Sequence, residues 1–169
     1  NRYADFTDGT EIAAGNYTLK ATYGNIETQG FEAPYYEGAK EFSIKKNEST
    51  NISVICYLAN VKVTTEYTEL FKKYFTDYTV NIRPAGSTDI SFDKNETRAA
   101  YVKPGKISIY LSGSKQQGNK VTFEAATIEN AKARQHYRLK FDVQAGGTEL
   151  DVSFTDETER VPITIDISD

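Results

Sequence analysis

The two side chains most used for nucleophilic, acid–base and transition-metal chemistry near neutral pH are scarce in this 169-residue sequence, which holds one cysteine and one histidine. A Ser/His/Asp or Cys/His arrangement needs a base beside a nucleophile. The histidine, His136, lies between Gln135 and Tyr137 at a strand entrance, and no nucleophile-elbow sequence accompanies it. Its alternation with Tyr137 turns it outward. The single cysteine, Cys56, shares parity with Ile52, Val54 and Leu58, so it reads as a buried, inert thiol. One thiol excludes an internal disulfide and a thiolate metal cluster. Carboxylates are plentiful, and a glycosidase needs two of them across a cleft, but their separation is a tertiary property. The densest group is Asp156, Glu157 and Glu159 in FTDETER. Clustered oxygens suit a hard cation such as calcium; without a DxDxDG-type loop the segment reads as a solvated turn. No residue is assigned to catalysis, to a cofactor or to a metal.

One stretch stands out for binding. In FEAPYYEGAKEFSI, residues 31–44, two tyrosines sit side by side between a proline and a glycine. A strand alternates its faces, so Tyr35 and Tyr36 cannot both enter one core. An exposed ring is a platform for the apolar face of a sugar and a marker of interaction surfaces. The competing reading is architectural: Pro34 fixes an extended turn, Gly38 frees the next bend, and one ring covers a domain junction. Tyr35 and Tyr36 are therefore the candidate ligand contacts, with one ring expected in and one out. Four Asn-x-Ser/Thr sequences, at Asn16, Asn47, Asn51 and Asn95, match a glycosylation pattern. In a Thr-rich β protein they read as coincidence.

The net charge is −4, and the lysine pairs at 45–46 and 72–73 are isolated. No basic stripe is available to release counterions from phosphates, which excludes nucleic acid as a partner. No apolar run approaches the length of a membrane helix. The sequence begins at Asn1 without a methionine or a signal-like segment, so it reads as a mature or trimmed chain whose export signal lies upstream.

Elements follow from periodicity. Apolar residues alternate in Tyr17–Tyr23, Ile52–Leu58, Val80–Ile82, Ile107–Leu111, Tyr137–Val143, Leu150–Phe154 and Val161–Ile167, with glycine- and proline-bearing turns between them. This predicts an all-β chain. YTELFKKYFTDY is the exception: Tyr67, Leu70, Phe71, Tyr74, Phe75 and Tyr78 recur at helical steps. A short helix is expected over about residues 68–75, its aromatic stripe packed on a sheet. A helical turn in IENAKARQHY has weaker support. Parity switches from even at Ile52–Leu58 to odd at Val61 and Val63, so the chain must turn near Ala59-Asn60. That turn predicts a small domain over 1–58 and a larger one over 59–169. A core of the smaller size is marginal and should lean on its neighbour. Tyr17, following a glycine turn, suits a tyrosine corner, and Tyr137 a similar part in the second domain.

The words IAAGNYTLKATYG, FEAPYYEGAKEFSI and ISVICYLANVKVTTEY resemble, in that order, a family of cell-adhesion, fimbrillin-like surface lipoproteins of Bacteroides-type bacteria, a domain family of unknown function. YFTDYTVNI, SFDKNETRAAYVKPGKISIYLSG, AKARQHYRLKFDV and ELDVSFTDETERVPITI extend the likeness over about residues 3–167. The resemblance implies tandem β-sandwich domains, immunoglobulin-like or transthyretin-like, with the short helix in the second. It also implies export to the outer membrane and cell surface on a lipid anchor, and no catalytic residues. The anchoring cysteine and an opening strand are absent here, so the first sheet is expected to lack an edge partner. The expected function is a non-enzymatic module for adhesion or fimbria-like assembly. Its partners would be surface proteins or cell-surface glycans, and it would touch a membrane only through an upstream anchor. Alternatives are a carbohydrate-binding module using the tyrosines and a pilus subunit completed by a partner's strand.

Overall fold

A computed structural model of the chain describes residues 11–116, 118 and 120–143, together with the strand backbones at 150–153 and 160–165. Asp156, Glu157 and Glu159, and the ends of the last two predicted strands at Phe154 and Ile167, lie outside the described residues. The chain is nearly all β, as its alternation requires. The first strands are β1 (Gly15–Tyr23), β2 (Gly30–Phe31), β3 (Tyr36–Ile44), β4 (Ile52–Leu58) and β5 (Val61–Tyr67). After the helix α1 (Glu69–Tyr74) come β6 (Phe75–Pro84), β7 (Ile90–Asp93), β8 (Ala100–Val102), β9 (Gly105–Lys115) and β10 (Lys120–Ala131). β11 (His136–Val143), β12 (Leu150–Ser153) and β13 (Arg160–Ile165) close the order.

These strands form three sheets, ordered β1-β3-β4-β13, β10-β9-β6-β7 and β12-β11-β5-β8-β2. The second and third face each other. Their core is built from inward-facing residues of the described strands, with Val63, Val80, Ile82, Phe92, Ile109, Leu111, Leu139 and Phe141 all fully buried. β11 and β5 run parallel, Tyr137 opposite Val63; most other neighbours are antiparallel.

The helix is shorter than its stripe implied. Thr68 caps it, its hydroxyl accepting the Phe71 N–H at 3.2 Å and donating to the Asp142 carboxylate at 2.6 Å. Phe71 is the buried residue of the helix, touching Tyr67, Phe75, Tyr78 and Phe141 with ring centroids 4.8–5.8 Å apart. Leu70, one residue round the helix, is 53% exposed. A six-residue helix has room for one anchoring ring, so the predicted stripe divides. IENAKARQHY holds no helical turn: β10 continues through Ala131, and the chain then reverses with Arg134 in the left-handed region at φ 74°.

The first sheet has its own packing. β1 and β3 pair in unbroken register from Gly15–Ile44 to Tyr23–Tyr36, but β3 meets β4 only at Tyr36–Leu58 and Glu37–Tyr57. Beyond that point the hairpin folds across β4. The Cys56 thiol reaches the Ala21 carbonyl at 3.6 Å, and a Cβ on Gly38 would lie 2.3 Å from the Ile55 carbonyl oxygen. Ile52, Val54, Cys56 and Leu58 are buried beneath it. Cys56 is the buried thiol its parity implied, and burial pushes its pKa up. Tyr17 makes the expected corner, its hydroxyl donating to the Ala13 carbonyl at 2.7 Å. Tyr137 differs: its hydroxyl bonds at 2.8 Å to the Gln135 side chain, which also accepts the Lys132 N–H.

Two tests follow from this packing. Gly38→Ala should destabilise the chain by about 1–3 kcal/mol, because the added methyl meets backbone that cannot yield cheaply; urea unfolding measures it. Burial raises the Tyr67 phenol to about 12. A folded pKa above the unfolded value of about 10 means the native state holds its proton longer, so stability should be intact below pH 10 and fall between about pH 10 and 12. Tm against pH, beside a phenolate absorbance titration whose last component falls near pH 12, checks this.

Candidate functional site

The three sheets meet where β4 ends. Leu58 belongs to the first sheet and Val61 to the third, so Ala59 and Asn60 carry the chain between them, where the parity switch placed a turn. Asn60 is wholly buried and is the sole buried polar residue among the described residues. Its side-chain oxygen accepts the Tyr35 N–H, and its backbone carbonyl accepts the Arg134 N–H at 3.0 Å. The Ala59 N–H donates to the Tyr35 carbonyl at 2.8 Å. The Asn60 amide nitrogen has no hydrogen-bond partner among the described groups. Above this knot the Arg134 guanidinium stacks on Tyr57, 3.8 Å from the ring centroid.

The tyrosine pair sits on the knot. Tyr35 and Tyr36 are both half-buried, so the structure divides them differently from one in and one out. Tyr35 is held through its backbone, and its hydroxyl donates to Glu37 at 3.2 Å. Burial first, and then the Glu37 carboxylate, push its phenol above the ordinary value. Tyr36 opens β3 opposite Tyr23, their rings 6.4 Å apart and tilted by 47°.

Tyr23 is the ring that sequence reasoning passed over. Parity places it with Tyr17, Leu19 and Ala21 on the inner face of β1, yet it is 62% exposed. The reason is positional: it pairs with the first residue of β3, where β4 ends and the chain leaves for the third sheet. Beside it lies a groove of about 430 Å³, lined by Tyr23, Asn25, Thr28, Glu32, Pro34 and neighbouring backbone.

The segment between β1 and β3 forms the groove wall and is tied at several points. Gly24 has φ 83°, and a Cβ there would lie 2.2 Å from the Pro34 carbonyl oxygen, so only glycine allows this approach. The Asn25 side chain accepts the Glu27 N–H at 2.9 Å. β2 pairs with β8, Phe31 packs edge-on against Phe92 at 5.0 Å, and the Lys103 N–H donates to Gln29 at 2.9 Å. Glu32 sits in the left-handed region at φ 53°, its carboxylate 3.7 Å from Arg98. Arg98 also lies over the Phe31 ring and pairs with Glu96 at 2.7 Å, which lowers the Glu96 carboxyl to about 2.

The other candidates are placed elsewhere. His136 lies on β11 with its Nε2 2.9 Å from the Thr64 hydroxyl, away from Cys56 on β4. No group of three His, Cys, Asp or Glu among the described residues is placed to hold a metal, and none of the described helices is long and apolar enough to cross a membrane. Asn16, Asn47, Asn51 and Asn95 are all exposed, and Asn47 occupies a left-handed turn at φ 59°.

Removing the Asn60 acceptor leaves the part-buried Tyr35 N–H without its partner. Asn60→Ala should cost about 1–3 kcal/mol and broaden the amide resonances of Tyr35 and Tyr36 ahead of those in the main core. Urea unfolding and an amide NMR spectrum measure both.

The chain is similar to solved structures of three putative cell adhesion proteins from Bacteroides. The one from Bacteroides uniformis superposes with a TM-score of 0.52 at 13% identity, over 89% of this chain and 68% of its own. That from Bacteroides ovatus has a TM-score of 0.46 at 8% identity, covering 83% and 60%; that from Bacteroides eggerthii has 0.43 at 10%, covering 76% and 64%. At such identities the first shows a shared fold and nothing finer. No curated protein matches the chain. The sequence profile of a domain of unknown function, DUF4493, matches residues 1–169 throughout, and the chain belongs to that family.

Proposed function

We propose that this chain is a non-enzymatic module of a bacterial cell surface that mediates adhesion. The observation carrying the reading is the fold shared with the putative cell adhesion protein of Bacteroides uniformis over 89% of the chain. The chemistry is in keeping with it. The one histidine bonds to a threonine within a strand pair, the one thiol is buried, and the candidate surface is aromatic. In this reading residues 1–58 and 59–169 are tandem sandwich units, with β2 and β13 crossing over to pair with strands of the other unit. The protein is a fimbrillin-like lipoprotein, exported and held at the outer membrane by an upstream anchor, with surface proteins or glycans as partners.

A second reading, strand exchange, is favoured by β1. It is an edge of its sheet among the described residues, nine residues long and in unbroken register with β3. β10, the edge of another sheet, carries two register shifts that blunt it.

Fluorescent beads coated with the chain should adhere to a cultured epithelial monolayer several-fold above albumin-coated beads. Adherence at the albumin level overturns the reading. Concentration-dependent self-association in sedimentation, abolished by Lys20→Pro in β1 while the monomer stays folded, would favour strand exchange instead.

A further inference from the structure

We propose that the groove beside Tyr23 is a binding site for a neutral saccharide, one sugar ring stacking on Tyr23 while its hydroxyls bond to Asn25, Thr28 and Glu32. This deepens the adhesion reading and rests on it for the biological setting.

The first support is the ring itself. A tyrosine 62% exposed at the end of an otherwise inward-facing stripe leaves apolar surface in water. Tyr36 braces it from one side at 6.4 Å, so its orientation is held by the sheet register. A sugar has an apolar C–H face and a polar rim, which matches an aromatic platform edged by hydrogen-bonding groups. Asn25 brings an amide, Thr28 a hydroxyl and Glu32 a carboxylate to the same groove. Its volume of about 430 Å³ falls in the range of roughly 300–1,000 Å³ usual for small-ligand sites.

The second support is preorganisation. Both walls are tied to rigid elements before any ligand arrives: Gly24 against the Pro34 carbonyl, Asn25 through its own turn, and Glu32 through an N–H bond to the Ala99 carbonyl at 3.2 Å. A binding surface whose backbone is already fixed loses little entropy on binding.

Charge selects the class of sugar. Among the described residues Glu32 is the one charged residue lining the groove. The Arg98 guanidinium lies 3.7 Å from its carboxylate and is shared with Glu96 at 2.7 Å and with the Phe31 ring. An acidic sugar would meet a carboxylate that the shared Arg98 offsets only in part, whereas a neutral one donates its hydroxyls to it.

The test is a tyrosine-fluorescence titration and saturation-transfer NMR on the whole chain. The probes are maltose, cellobiose, lactose and mannobiose, with sialyllactose as the acidic control and an array of neutral glycans to widen the set. At least one neutral glycan should bind in preference to sialyllactose. Tyr23→Ala should weaken it about tenfold or more, with Tyr23→Phe and Tyr35→Ala close to wild type. Tyr23 is exposed, so the alanine variant should keep the wild-type circular dichroism and Tm. Silence across the neutral set, binding indifferent to Tyr23→Ala, or a preference for sialyllactose each overturns the proposal. Bead adherence separates the two readings: adherence without glycan binding rejects the saccharide site alone, whereas glycan binding without adherence rejects the adhesion module.

Discussion

The structure depends on one buried asparagine. Asn60 sits where the chain leaves the first sheet for the sandwich, and through it three segments distant in sequence are fastened: β4's exit, the Tyr35 backbone and the turn at Arg134. A buried amide costs free energy unless its groups are satisfied. Here the side-chain oxygen and the backbone carbonyl are used and the amide nitrogen is left over. That arrangement stabilises the join only if all three segments stay in register, so geometry at the knot is transmitted to everything attached to it. The β1–β3 hairpin, the wall of residues 24–35 and the sandwich are therefore mutually oriented by a few hydrogen bonds and the packing of Phe31 on Phe92.

Aromatic residues are divided between two tasks by their place relative to that join. Away from it, Phe71, Phe75, Tyr67, Tyr78 and Phe141 form a contiguous cluster that locks the helix to the sandwich. Their burial supplies much of the apolar area that holds the domain together. At the join, none of the described sheets closes over the end of the first one, and Tyr23, Tyr36 and Tyr35 are left partly or largely open. The same residue type serves packing in one place and a surface in the other. Position in the sheet, not chemistry, separates the two.

Much of this was legible in the sequence. The parity of Ile52–Leu58 and its reversal at Val61 located the turn at Asn60, because a strand's inward face cannot change without a break. The glycine before Tyr17 anticipated the bond to Ala13. Legibility ended where long-range pairing intervened. Leu70 is in helical phase with its neighbours, but Phe71 fills the space that a six-residue helix can reach. Tyr23 is in phase with Leu19 and Ala21, but the covering strand has turned away by that row. The groove was half visible: the proline of the PYY stretch lines it, while its exposed ring, Tyr23, comes from the paired strand earlier in the chain.

What the sequence determined by itself is local: alternating faces, the one short helix, the turns at glycine and proline, and the poverty of catalytic side chains. These rest on backbone sterics and side-chain burial within a few residues, which any folded context must respect. Only the tertiary structure decided how the segments share three sheets. It set β11 parallel to β5, gave β2 to the far sheet, and laid the first hairpin across β4. It also decided which tyrosine faces water. Such choices depend on pairings between residues far apart in the chain, whose free energies compete with many near-equal alternatives that no local pattern can rank.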